Sequence, residues 1–141
     1  MNKKIESPIS STANNAFQNI VYHFTQPSLK FLSGTTEGIP NWLFVNDLLS
    51  RMTTTKQCTT KRGIETELNP GEVDASLSAL AETWKLGRKV VTRLINEMEA
   101  CGIVSRESSN VTTILALTCV IGWISDGTFI QNPHSNFRRK K

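Results

Sequence analysis

The chain has 141 residues, 38% of them hydrophobic, enough for one modest core and too few for a second full domain. Its net charge of +4 gathers at the two ends, Lys3-Lys4 and Arg138-Arg139-Lys140-Lys141, so the charge permits a polyanionic partner without requiring one. Three widely spaced cysteines, Cys58, Cys101 and Cys119, form no zinc-ligand spacing and read as thiols of a reducing cytosol; no cofactor or metal is expected, and the expected location is cytoplasmic.

Residues 1–14 are polar, the composition of a tail, and no apolar segment follows Lys3-Lys4, which argues against a secretory signal. Phe17, Ile20, Val21 and Phe24 keep helical spacing and Pro27 closes the segment, so residues 1–38 are expected to hold a tail and a short amphipathic helix ending near Gln26. After a loop at 33–38, Pro40 suits a helix start, and Trp42, Val45, Leu48, Leu49 and Met52 predict the first helix of a domain spanning 39–125. TTTKQCTTKRG, residues 53–63, has three cations and no apolar period, and reads as an exposed loop able to touch phosphate. IETEL alternates apolar and polar residues, Asn69-Pro70-Gly71 is turn chemistry, and EVDAS is again extended, which predicts a hairpin feeding the next helix.

Leu77, Leu80, Ala81 and Trp84 fall on one helical face behind Ser76, a suitable cap. Val91, Leu94, Ile95 and Met98 repeat the spacing after Lys85-Leu86-Gly87, where the glycine is expected to break the helix and turn the chain. This is the grammar of a helix-turn-helix. Lys85, Arg88, Lys89 and Arg93 crowd the start of the second helix while Glu97 and Glu99 sit near its end, an order that opposes the helix dipole. A helix whose first half enters a major groove needs cations and hydrogen-bonding side chains there. Lys85, Arg88, Lys89, Thr92, Arg93 and Asn96 supply them, making a duplex-reading edge the expected use, against the plainer one of a solvated face.

Beyond Gly102, Ile103 and Val104 begin a strand, Glu107 to Asn110 make a polar turn, and VTTILALTC returns as a β-branched strand. Arg106 near the tip of this wing, with Ser108, Ser109 and Asn110, is placed to meet backbone phosphate or the minor groove. The apolar run from Val111 to Ile124 falls short of the roughly 20 residues that span a bilayer, so no membrane partner is expected and a buried strand with Trp123 on the core is. Residues 126–141 read as a mobile basic tail, and His23 and His134 have no partner at a recognisable spacing.

The expected fold class is therefore α+β and mostly helical: a winged helix-turn-helix with a three-helix core and a small antiparallel sheet or wing, plus the N-terminal helix and mobile tails. The segment ELNPGEVDASLSALAETWKLGRKVVTRLINEMEACGIV, followed by VTTILALT, resembles the N-terminal winged-helix domain of phage and plasmid replisome-organiser or replication-initiation proteins. In that family a glycine turn and strand enter a helix through Ser, a Leu-Ala pair and an aromatic residue follow, and a Val-x-x-Leu helix leads to Gly-Ile. Gly71, Ser76, Leu80-Ala81, Trp84, Val91, Leu94 and Gly102-Ile103 stand at those places. Gly87 departs from the pattern, occupying a place where the family often has a capping Ser, and no second helical domain of the kind that contacts a helicase loader is expected after the wing.

The resemblance implies sequence-specific binding of double-stranded DNA, as a transcriptional regulator or replication accessory of a bacterial or mobile-element genome. A homodimer is a further candidate partner, with the Phe17–Phe24 stripe as its contact. The alternative is a winged helix that docks a protein partner without reading DNA. No enzyme is expected, since the chain shows no clustered carboxylates, His/Cys constellation or phosphate-binding glycine loop.

Overall fold

The computed structural model describes residues 19–61, 63–107 and 112–136. These form β1 (Asn19–Tyr22), α1 (Gln26–Leu32), β2 (Thr35–Thr36), β3 (Ile39–Pro40), α2 (Asn41–Arg51), β4 (Gln57–Lys61), β5 (Ile64–Leu68), β6 (Glu72–Asp74), α3 (Leu77–Trp84), α4 (Arg88–Ala100), β7 (Ser105–Glu107), β8 (Ile114–Ala116), β9 (Val120–Ser125) and β10 (Thr128–Gln131). The strands make four small antiparallel sheets, ordered β1-β9-β10, β2-β3, β4-β5 and β6-β8-β7.

Helix and strand are nearly equal, 35% and 32% of the described residues, so the expectation of a mostly helical fold is incorrect. Most of the strands are pieces of two to four residues, too short to display a period of two. The expected N-terminal helix is one casualty: Asn19–Tyr22 is strand β1, with Ile20 opposite Trp123 of β9. Four residues with β-branched centres fit helical and extended spacing alike, and the distant partner decides. Phe17 lies outside the described residues, and Ile20 and Phe24 pack against the core, so the proposed dimer stripe does not exist as a helical face. Pro27 does not close a helix either. It stands in the first turn of α1, where its missing N–H is not needed, and Thr25 Oγ1 caps the helix by accepting from the Ser28 N–H at 3.2 Å.

The mobile C-terminal tail is corrected by the same sheet. Thr128–Gln131 pairs with β9 across a two-residue turn in which Asp126 and Gly127 hold φ of 52° and 77°, the positive pair a tight hairpin needs. Asn132 and Ser135 beyond it are buried, while Arg138 to Lys141 lie outside the described residues. The expected hairpin is corrected too: Ile64–Leu68 pairs with Gln57–Lys61, which had the look of a loop, and Glu72–Asp74 pairs with Ile114–Ala116. The Asn69–Gly71 turn therefore carries the chain between sheets rather than back along one. The apolar run through Ile124 is likewise two strands, β8 and β9, separated by a turn closed by Val120 N–H to Leu117 C=O at 3.1 Å.

The core lies where α2, α3 and α4 meet the β6-β8-β7 and β1-β9-β10 sheets. Leu48, Leu80, Val91, Leu94, Ile95 and Met98 bury there with Val73, Ile103, Leu115, Leu117 and Trp123. The inward face of α2 takes in Phe44, whose ring sits 4.9 Å from that of Trp84, and leaves Trp42 39% exposed. Trp84 also donates from Nε1 to Asp47 Oδ2 at 2.8 Å, a carboxylate that Arg51 holds at 3.1 Å. The tilted ring contact and the hydrogen bond together fix α3 on α2, and α3 packs in turn on α4. Among the described residues no helix is long and apolar enough to cross a membrane.

Candidate nucleic-acid interface

The turn before α4 is built differently from its sequence reading. Lys85 takes the left-handed conformation, φ 58° and ψ 45°, and donates its N–H to Ala81 C=O as the C-cap of α3. Gly87, at φ −69° and ψ 156°, is in extended backbone that any residue adopts. Gly87 is thus the N-cap of α4, and no side chain accepts from the first-turn N–H groups. Ser76, by contrast, caps α3, accepting from the Ala79 N–H at 3.4 Å.

Because Val91, Leu94, Ile95 and Met98 bury one face of α4, the residues between them turn outward. Arg88, Lys89 and Arg93 are exposed, as is Lys85 just before them, and Thr92 is half-buried in a shallow depression between Arg88 and Lys89. Among the described residues none of Lys85, Arg88, Lys89 and Arg93 is in an ion pair. Four uncompensated cations beside an uncapped helix start oppose the helix dipole, at about 0.3–1 kcal/mol each at low salt. The same arrangement gathers backbone N–H donors and positive charge at one end of α4, which suits an anion.

Asn96 and Arg106 are brought together. In the register of the β6-β8-β7 sheet Arg106 lies opposite Leu115, which in turn faces Val73, so its side chain shares the face that packs on the helices. Its guanidinium Nη2 donates to Asn96 Oδ1 and stands 3.9 Å from Glu99 Oε1, while its backbone N–H donates to Glu99 Oε2 at 3.1 Å. Arg106 is therefore tied to α4 rather than extended from the wing. Ser108, Ser109 and Asn110 lie outside the described residues. Lys56, in the segment expected to touch phosphate, pairs with Glu67 at 3.2 Å.

Two polar arrangements escaped sequence reasoning because they join distant segments. Glu72, buried, accepts from the Asn69 N–H at 2.9 Å and lies 3.1 Å from His134 Nε2, within ion-pairing distance of a protonated imidazole but not aligned for a hydrogen bond. Asn132, fully buried, donates from Nδ2 to Leu117 and Val120 carbonyls at 3.0 and 2.8 Å and accepts from the His134 N–H at 3.0 Å. Both hold the sheets in place and stand apart from the α4 cations. No family model matches this chain, and neither a curated protein nor a solved structure matches it.

Proposed function

We propose that this chain is a non-enzymatic protein that binds double-stranded DNA through α4, as a regulator or replication accessory, in the manner of the winged helix-turn-helix proteins that the region from about Asn41 to Cys119 resembles. The observation that carries the proposal is the set of four exposed cations, Lys85, Arg88, Lys89 and Arg93, unpaired among the described residues, at a helix start with no side-chain cap. The order helix α2, the β4-β5 hairpin, strand β6, helices α3 and α4, then β7 and β8, with β8 central in its sheet, supports the same use: α4 is packed on the core with its cationic face outward. Arg88, Lys89, Thr92 and Arg93 would enter the major groove, Lys85 and the α4 N–H groups would meet phosphate, and the wing would flank them.

A protein-docking module without DNA readout is the competing reading, favoured by the adjacent exposed Trp42 and Leu43 at the start of α2. Fluorescence anisotropy with random duplex, at about 50 and 200 mM salt, separates the two. The wild-type chain binds with a steep salt dependence. On random duplex Arg88→Ala/Arg93→Ala binds more weakly and flattens the salt slope by about 0.9 for each phosphate neutralisation lost. Unchanged affinity and slope in that double variant would remove α4 as the reading element.

A further inference from the structure

The contact between Arg106 and α4 carries an inference that rests on the proposal of duplex binding. Asn96 and Glu99, at i and i+3, share one face of α4, continuous with the outward line of Lys89, Thr92 and Arg93. Arg106 is held to that face from two sides: the guanidinium by Asn96 Oδ1 and Glu99 Oε1, the backbone N–H by Glu99 Oε2. Three anchoring contacts on one residue of a three-residue edge strand fix where β7 sits against α4. Two of them come from Glu99, an anion that accepts from the Arg106 backbone N–H and ion-pairs with its guanidinium at 3.9 Å, as a phosphate would.

We infer that Glu99 is a positioning residue that occupies Arg106 in place of a DNA phosphate, so that the wing's arginine reaches a duplex only by exchanging carboxylate for phosphate. Exchange is feasible because the pair is in solvent, with 38% and 42% of the two side chains exposed, and such pairs are weak and screened by salt. It also accounts for the charge order of α4. The four cations at its start are uncompensated, and the cation added by β7 is neutralised by the carboxylate beside it. Glu99 thereby lowers sequence-independent attraction to DNA while keeping Arg106 in register for a site that fits.

The test is duplex binding across a salt series for Glu99→Gln, with Glu97→Gln as a control of equal charge change on the same helix. Glu97, exposed one turn from Arg93, makes no ion pair among the described residues. Glu99→Gln should tighten binding to random duplex by about threefold to tenfold and steepen the salt slope by about 0.9, one further phosphate neutralised. Glu97→Gln should do markedly less, and in an Arg106→Gln background the gain from Glu99→Gln should fall to that of the control. A readout without DNA accompanies it: hydrogen exchange at the Arg106 amide should accelerate in Glu99→Ala, while the Ile103 amide, bonded to Met98 C=O at 2.8 Å, stays protected. Equal behaviour of the two Gln variants, or an unchanged Arg106 amide, overturns the exchange and leaves duplex binding standing. A wild-type chain that binds no duplex overturns both.

Discussion

Gly71 holds φ at 88°, and a methyl group placed on it would lie 2.1 Å from Asn132 Oδ1. Neither side can give: Asn132 is fixed by its bonds to Leu117, Val120 and His134, and Gly71 exchanges backbone hydrogen bonds with Thr53 and Leu117 at 2.8 and 2.9 Å. Gly71→Ala therefore combines left-handed strain with overpacking and should cost about 2–4 kcal/mol, read as a lower midpoint in urea. Cys119 makes a different kind of prediction. Burial pushes its thiol from 9.0 up to about 12, and burial also raises Cys101 and Tyr22. A raised acid keeps its proton in the fold after the unfolded chain has lost it. The Cys119 contribution is thus complete below about pH 9 and is lost progressively as pH rises toward about 12. Unfolding midpoints followed upward from about pH 8 should decline less steeply in Cys119→Ala than in the wild type; equal slopes would assign the decline to other groups.

At the scale of elements, α4 shows stability and use pulling apart. Gly87 has open space around its Cβ position and extended backbone, so Gly87→Asp can cap the helix and complement its dipole, adding a few tenths to about 1 kcal/mol. The same carboxylate would stand where a phosphate is proposed to sit. Gly87→Asp should raise the melting temperature while weakening duplex binding, and a rise in both would argue against phosphate contact at this helix start. Helices α3 and α4 were legible in the sequence because Leu80, Trp84, Val91, Leu94, Ile95 and Met98 repeat at helical spacing, and a helix satisfies its backbone within its own segment, whereas α1 was not. Strand partners were not, because IETEL announces extension but not whether Gln57–Lys61 or Glu72–Asp74 lies beside it. The α4 cations could likewise be named from sequence, whereas the tie of Arg106 to Asn96 and Glu99 depends on a register that only the folded sheet sets. Lys85 shows the limit of residue preference: the chain was expected to turn at the glycine two places on, and the left-handed residue that ends α3 is a lysine.

Over the whole molecule, stability should be uneven. Among its described side chains the β4-β5 hairpin buries Thr66 and Leu68 and exposes the others, while α4 and β8 run through the centre of the core. Native-state hydrogen exchange should find the β4-β5 amides opening at free energies well below those of α4 and β8, and equal protection would mean that the hairpin unfolds only with the core. The β1-β9-β10 sheet works the other way, binding residues far apart in sequence: Ile20 and Ile130 both lie opposite Trp123.

Asn132 has a consequence for how the molecule comes into being. A ribosome delivers the helices α2 to α4 and the strands beside them early, yet the Leu117 and Val120 carbonyls and the hollow over Gly71 await an amide encoded later. Without Asn132 the Leu117 and Val120 carbonyls would be buried acceptors with no amide to answer them. Closure of the core thus waits on a side chain near the end of the described residues, and the part of the molecule made last is the part that seals it.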